Sequence, residues 1–302
     1  MASGPSEMTP LIRDCLGVET PRASAFIVTI YGDVVVPRGG VLWIGNLIEC
    51  CSVQGISETL VRTAVSRLMS AGRLQSKRLG RKSFYGLTKA AQEEFRDAAN
   101  ILYTPEPEPA GWLIEIGNPR SDEEKAHGWV SVASNLAIAP NRADVRKSAG
   151  LVMSAETISG VERLPQFAAD HWAMAEVASS YEHFVTRYAP LATELDRPDA
   201  INGSVALALR LRLVHDYRLA ALADPRLPRN AWPSDWQGPV ARRIFVDLYL
   251  RLSAAADAYV GHMFQDAQGF LPASTPDNAL RIDRLRREPA RETLSNHTKM
   301  QN

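Results

Sequence analysis

The residues best suited to chemistry form one basic segment, residues 62–89. Eight lysines and arginines occur in these 28 residues, and no aspartate or glutamate interrupts them. Phosphate groups are natural partners of such a segment, because each cation can displace a counterion from a nucleic-acid backbone. The whole chain contains 34 basic and 34 acidic residues, so the other 274 residues carry a net charge of −8. A solvated basic face on a small αβ domain is the alternative, but the unbroken positive run favours a nucleic-acid-facing surface.

A helix and a hairpin are predicted to position this basic segment. Ser57 is a suitable N-cap and Gly72 a suitable end, and the apolar residues between them recur at helical spacing: Leu60, Val61, Ala64, Val65, Leu68 and Met69. Alternating residues from Leu74 and a turn at Gly80-Arg81 then predict a β-hairpin. Residues 41–51 have the spacing of an earlier helix. Residues 23–31 are apolar and rich in residue types that favour strands, so the sequence does not decide whether they form a helix or a strand.

Two helices joined by a short glycine-containing turn and followed by a basic hairpin are the element order of a winged helix-turn-helix domain. In that arrangement the second helix enters the major groove, and the hairpin contacts phosphates or the minor groove. The DNA-binding residues predicted on the helix are Ser57, Thr59, Arg62, Thr63, Ser66 and Arg67. Those predicted on the hairpin are Lys77, Arg78, Arg81, Lys82, Ser83 and Tyr85.

The rest of the chain divides by composition into a small α+β region and a helical region. A Pro-rich linker at 104–109 precedes a strand candidate at 112–116, and a capping-box pattern predicts a helix over 121–134. Short apolar runs at 136–139 and 150–155 complete a ferredoxin-like α+β unit. Long helical patterns follow Pro165, at 206–222 and 240–264 among others. The predicted fold is a multidomain α+β protein with an all-α C-terminal domain.

Composition and charge predict five successive segments. They are a disordered N-terminal tail (1–21), the winged helix-turn-helix domain (22–104), the ferredoxin-like middle domain (105–165), a helical domain (166–270) and a disordered C-terminal tail (271–302). The chain shows no secretory signal pattern, no apolar run long enough for a bilayer and only three cysteines, none in a Cys-x-x-Cys pair. These features predict a reduced cytoplasmic protein with no membrane partner.

No motif for catalysis or cofactor binding occurs in the chain. It lacks the phosphate-binding, dinucleotide-binding, nucleophile-elbow and His-Glu-x-x-His patterns, and none of its six histidines lies three or four residues from another. His215 and Asp216 are adjacent, and neighbours on a helix point apart. We therefore predict no catalytic residue, no metal, no cofactor and no enzyme activity. Two alternatives remain: an enzyme or ligand-binding protein whose basic segment binds the phosphates of coenzyme A, and a metal-dependent nuclease in the middle region.

Four stretches of the sequence together resemble the PaaX family, repressors of bacterial phenylacetic acid degradation. The first is SAFIVTIYGD (24–33) with PRGG (37–40) and WIG (43–45). The second is LVRTAVSRL (60–68) with GRKSFY (80–85) and LT (87–88). The third is YEHFVTRYAPL (181–191). The fourth is LVHDYR (213–218), DPRLP (224–228) and WPSDW (232–236). They occur in the family's order between about residues 22 and 270.

This resemblance implies a fold and a function. It implies an N-terminal winged helix, a ferredoxin-like middle domain, and a helical C-terminal domain that binds an effector and dimerises. It also implies a homodimer on a palindromic DNA operator. Phenylacetyl-CoA, or another aromatic catabolite, is the expected effector that relieves repression of an aromatic-degradation operon. The expected effector-binding residues are Trp172, Tyr181, His215, Arg218, Trp232 and Trp236.

Overall fold

A computed structural model describes residues 10–17, 19–79, 81–105, 107–117, 128–145, 150–195 and 201–288 of the chain. These residues form an α+β protein with two small antiparallel sheets and a helical C-terminal region, as the sequence predicts at this level. The chain packs as two compact units. The first unit contains Met1–Pro105, Phe184–Arg218 and Val240–Asn302, and the second contains Glu106–His183 and Leu219–Pro239.

Helices and strands alternate in the first half of the described chain, and helices dominate the second half. The α-helices are α1 (Pro10–Gly17), α2 (Ala23–Ile30), α3 (Ile44–Val53), α4 (Glu58–Ser70), α5 (Lys89–Tyr103), α6 (Leu164–His171), α7 (Met174–Glu194), α8 (Gly203–Ala221), α9 (Gly238–Met263) and α10 (Pro276–Arg286). The strands are β1 (Val41–Trp43), β2 (Leu74–Leu79), β3 (Lys82–Leu87), β4 (Trp112–Ile116), β5 (Val130–Ala133), β6 (Leu136–Pro140) and β7 (Leu151–Ala155).

The open choice at residues 23–31 is resolved as helix. Helix α2 continues into a π-helical turn, Tyr31–Val35, and a 3-10 turn, Val36–Arg38, and Gly39 follows with a left-handed φ of 95°. Phe26, Ile27 and Ile30 are fully buried in the core of the first unit, whereas Ser24 is exposed. Apolar residues occupy most of this helix, so its sequence lacks the broad polar face whose periodicity would reveal a helix.

The predicted helix and hairpin of the basic segment are both present. Ser57 caps α4 by accepting a hydrogen bond from the backbone N–H of Leu60 at 3.4 Å, and Gly72 after its end has a φ of 67°. Strands β2 and β3 pair from Leu74↔Leu87 to Leu79↔Lys82, which confirms the hairpin. The helix predicted over residues 41–51 is wrong at residues 41–43. These residues form β1 and pair with β3 in a sheet of order β1-β3-β2.

A buried ionic cluster lies in the core of the first unit. Asp33 accepts hydrogen bonds from Arg210 at 2.9 Å, Tyr249 at 2.9 Å and Tyr103 at 3.0 Å. Burial by itself would raise the pKa of Asp33, but the guanidinium groups of Arg210 and Arg281 hold that pKa below its usual range. The carboxylate therefore stays charged inside the protein.

The second unit is built on a four-stranded sheet of order β5-β6-β4-β7, antiparallel throughout. Successive residues of a strand point to opposite faces. Leu113 packs with Trp129, Ala137, Ala139 and Val145, while its neighbour Trp112 packs with Ala168, Met174, Leu227 and Ala231. The sheet therefore carries a hydrophobic cluster on each face.

Several local predictions differ from the structure. The helix predicted over 121–134 is wrong for its described part, because Val130–Ala133 forms β5 and pairs with β6, and residues 121–127 lie outside the described residues. The predicted terminal tails contain helices α1 and α10, since α1 buries Ile12, Cys15 and Leu16 and α10 buries Leu285. Packing also groups the chain differently from the predicted succession of domains, because the first unit draws on three separate segments.

Candidate functional site

Helix α4 presents a polar face to solvent and an apolar face to the core. Val61, Ala64, Val65 and Leu68 are buried, whereas the predicted contact residues on the other side are all exposed: Ser57, Thr59, Arg62, Thr63, Ser66 and Arg67. The centre of the exposed face carries only hydroxyl side chains, at Thr59, Thr63, Ser66 and Ser70. Because these side chains are short, a nucleic-acid groove can approach the backbone of α4 closely.

The two arginines of α4 flank this hydroxyl-bearing centre. Arg62 pairs with Glu58 one turn earlier at 2.6 Å, and both side chains are more than half exposed. Exposed pairs of this kind contribute about 0–1 kcal/mol, so a phosphate can compete for Arg62. Arg67 has no acidic partner within 4.0 Å among the described residues.

The structure corrects the apolar stripe predicted for α4 at two positions. Leu60 is 54% exposed and Met69 is 37% exposed, so neither belongs to the core. Both lie at the flanks of the helix, where burial depends on which neighbouring elements extend over them. Leu60 is therefore a surface residue of the candidate site that periodicity alone assigned to the core.

The hairpin β2–β3 adds further cations. Arg78 and Arg81 are exposed, and neither has an acidic partner among the described residues; the side chain of Lys77 lies outside them. Ser83 and Tyr85 are half-buried, and the backbone oxygen of Tyr85 accepts a hydrogen bond from Tyr31 at 2.9 Å. Lys82 is exposed but engaged, because its Nζ donates to Gln265 Oε1 at 2.7 Å and lies 4.7 Å from the centre of the Trp43 ring.

Four of the six expected effector residues, Trp172, Tyr181, Trp232 and Trp236, lie in the second unit. Tyr181 is buried and donates to Asp224 at 2.9 Å, and its ring meets that of Trp236 edge-on at 5.4 Å. Trp232 Nε1 donates to the backbone oxygen of Leu227 at 2.9 Å, and Trp172 Nε1 donates to that of Gly128 at 3.2 Å. Hydrogen bonds and packing thus account for these four side chains.

The other two expected effector residues belong to the first unit. His215 is buried, with Nδ1 3.0 Å from Thr29 Oγ1, and burial lowers its pKa to about 4. Arg218 is half-buried and its Nη1 donates to the backbone oxygen of Ala25 at 3.4 Å. Asp216, adjacent to His215, instead accepts hydrogen bonds from Arg187, Tyr188 and Arg212, so the two neighbours form no acid–base pair.

The second unit also has an open cleft that sequence reasoning missed. Its volume is about 410 Å³, and the residues around it include Gly111, Trp112, Thr157, Pro228 and Arg229. Arg229 pairs with Glu108 at 3.3 Å and its guanidinium lies 5.8 Å from the centre of the Trp232 ring. Glu108 and Glu156 also line the cleft, so it combines an aromatic side chain and one cation with two carboxylates. Its residues are distant in sequence, so no local signal could have indicated it.

A search of the described residues finds no three His, Cys, Asp or Glu side chains placed to hold a metal ion. Nor does any of the described helices have the length and hydropathy to cross a membrane. The three cysteines are buried, and burial raises the pKa of Cys15 to about 11 and that of Cys51 to about 12. Their thiols are therefore protonated and unreactive at neutral pH.

These features define an α+β protein in which one helix and the hairpin that follows it expose five cations, Arg62, Arg67, Arg78, Arg81 and Lys82. Family models identify its relatives. A model described as "PaaX-like protein" matches residues 22–91, and one described as "PaaX-like protein C-terminal domain" matches residues 172–262. The two ranges together span just over half of the chain. The chain belongs to the PaaX-like family, which confirms the resemblance found in the sequence.

Two individual proteins are similar to this chain. The transcriptional repressor PaaX of Escherichia coli (strain K12) is 29% identical over 292 residues, an alignment that covers 89% of this chain and 92% of the repressor. A solved structure, the uncharacterized protein Rv0674 from Mycobacterium tuberculosis, is 18% identical and has a TM-score of 0.41. That match covers 71% of this chain and 89% of the mycobacterial chain.

Proposed function

We propose that this protein is a DNA-binding transcriptional regulator, a repressor whose residues 22–104 form a winged helix-turn-helix domain. One observation carries the proposal: α4 and the hairpin that follows it expose cations and hydroxyl groups on surfaces whose opposite faces are packed into the core. The similarity to a transcriptional repressor over most of the chain supports it independently.

Helix α4 acts as the recognition helix in this proposal. Thr59, Thr63 and Ser66 face base edges in the major groove, with Arg62 and Arg67 on the flanking phosphates. The hairpin is the wing, and its Arg78, Arg81 and Lys82 contact phosphates or enter the minor groove. The protein binds as a homodimer to a palindromic operator, since twofold symmetry in the protein requires twofold symmetry in the site.

The second unit is proposed to have a ferredoxin-like fold. Its antiparallel strand order, β5-β6-β4-β7, is the order of a ferredoxin-like sheet and supports this assignment. The same unit is proposed to contribute to the effector site. The cleft beside Trp112, with Trp232 nearby, offers aromatic contact, and Arg229 offers a positive charge among the carboxylates of Glu108 and Glu156. An aryl-CoA thioester or a related aromatic catabolite bound there would release the operator by favouring a different dimer geometry.

The salt dependence of DNA binding tests the regulator proposal. We expect the logarithm of the association constant to fall linearly with the logarithm of salt concentration, at a slope of about −0.9 per neutralised phosphate. Arg62→Ala and Arg81→Ala should each weaken binding and make the slope shallower by about 1. Arg163→Ala is the matched control, because Arg163 is an exposed arginine of the second unit. The proposal is wrong if neither variant weakens binding and the wild-type slope is near zero.

Tryptophan fluorescence tests the effector. Phenylacetyl-CoA should quench the emission of the wild-type protein and release it from operator DNA over the same concentration range. Arg229→Ala should weaken both effects without changing DNA affinity in the absence of effector. Quenching by coenzyme A with no binding of duplex DNA would instead favour a ligand-binding protein whose basic segment recognises phosphates.

A further inference from the structure

The turn that follows α9 lies against the outer edge of the wing sheet. The backbone N–H of Trp43, in β1, donates to the backbone oxygen of Gln265 at 2.9 Å. The turn closes on itself, because Gln265 forms an isolated antiparallel bridge with Phe270 and the N–H of Leu271 donates to the oxygen of Phe264 at 2.8 Å. Residues 264–271, the edge turn, are thus joined to β1 by a backbone hydrogen bond.

Asn46 fixes the edge turn from the side of α3. Its side chain is buried, its Nδ2 donates to the backbone oxygen of Met263 at 3.0 Å, and its Oδ1 accepts from the N–H of Gln265 at 3.0 Å. One amide therefore satisfies two backbone groups on both sides of Phe264. Breaking two buried hydrogen bonds costs free energy, so they hold Gln265 in place relative to α3.

Gln265 in turn holds a cation of the wing. Its Oε1 accepts from Lys82 Nζ at 2.7 Å, and the same Nζ lies 4.7 Å from the centre of the Trp43 ring. That ring packs closely over Gly45, where a Cβ would collide with it. Both partners of Lys82 are uncharged, so they orient the ammonium group and leave its charge available to a third partner. A lysine that binds without such support loses its rotamer freedom on binding.

We propose that Gln265 is a positioning residue for DNA binding, which holds Lys82 and the adjoining wing in the conformation that meets a phosphate. The proposal rests on the proposed function, since it concerns how the wing contacts DNA. Gln265 acts through Lys82 and does not itself neutralise a phosphate. Its removal should therefore lower affinity while leaving the number of phosphate contacts unchanged.

Salt titrations on a double-mutant cycle test this proposal. The probe is the duplex that the wild-type protein selects from a random-sequence pool. Gln265→Ala should weaken binding by about fivefold, the effect of one lost hydrogen bond, with the wild-type salt slope. Lys82→Ala should weaken binding and make the slope shallower by about 1. The double variant should bind no more weakly than Lys82→Ala, and the control Gln268→Ala, an exposed glutamine of the same turn, should bind like wild type.

Different outcomes separate this proposal from the proposed function. The positioning role would be overturned if Gln265→Ala bound with wild-type affinity, or if the effects of the two single variants multiplied in the double variant. A steep salt dependence of wild-type binding would still support the DNA-binding role. A wild-type protein that selects no sequence and shows no salt dependence would overturn both. If Gln265→Ala does not fold, Gln265→Glu serves, because a carboxylate there should neutralise Lys82 and make the slope shallower by about 1; an unchanged slope would contradict the proposal.

Discussion

Asp33 and Arg210 form a buried ion pair of 2.9 Å, although 177 positions separate them in the chain. Both side chains are at most 1% exposed. A second carboxylate, that of Asp257, lies 2.7 Å from Arg210. Arg281 of α10 also lies 3.2 Å from Asp33. Elements from the two ends of the sequence therefore share one ionic core, so this part of the first unit is expected to fold cooperatively.

Breaking this pair from one side should destabilise the protein strongly. Asp33→Asn removes the carboxylate that Arg281 contacts and leaves Arg210 only Asp257, and we expect a loss of about 3–5 kcal/mol in the free energy of unfolding. Urea unfolding followed by circular dichroism measures it. Asp97→Asn is the control, because Asp97 is exposed on α5. A loss below about 1 kcal/mol for Asp33→Asn would show that the cluster does not stabilise the fold.

Leu60 should contribute to sequence recognition. It is an exposed apolar residue in the first turn of α4, beside the hydroxyl-bearing face, and the apolar group that DNA offers in the major groove is the thymine methyl. Replacing thymine by uracil in the selected duplex should weaken wild-type binding at one or two positions by about threefold to tenfold. Leu60→Ala should bind both duplexes equally. Equal sensitivity to uracil in the two proteins would contradict the contact.

Glu58 should oppose DNA binding. It is the acidic residue in the first turn of α4, and it pairs with Arg62 at 2.6 Å. Glu58→Gln removes a negative charge near the phosphates and frees Arg62, so affinity for the selected duplex should rise by about threefold at low salt. Fluorescence anisotropy measures this change, with Glu93→Gln on α5 as the control. A fall in affinity would mean that the Glu58–Arg62 pair orients Arg62 for DNA.

His215 should make stability depend on pH. Burial lowers its pKa from 6.5 to about 4, so between these values the unfolded chain binds a proton that the folded protein excludes. The stabilisation is complete above pH 6.5 and is lost as the pH falls to 4, by up to about 3 kcal/mol. Urea unfolding across this range should give a flatter profile for His215→Asn than for wild type. The exposed His262→Asn should keep the wild-type profile.

Local patterns were sufficient for the elements of the candidate site. The Ser57 cap, the turn at Gly72 and the hairpin pairing all depend on residues a few positions apart, so they could be predicted from the sequence. The predictions at 121–134 and at Leu60 failed for a common reason. The capping pattern favours a helix locally, but residues 130–133 pair with β6. An apolar residue favours burial, but whether Leu60 is buried depends on which distant elements cover the flank of α4.

The sequence by itself determined the family, the concentration of positive charge in residues 62–89 and the order of helix and hairpin that presents it. Only the tertiary structure decided which cations are free and which are held, since Lys82 and Gln265 are 183 positions apart. It also decided that Tyr181 and His215 are buried and already hydrogen-bonded. Propensity and periodicity act over one or two turns of chain, whereas these contacts exist only when distant segments pack together.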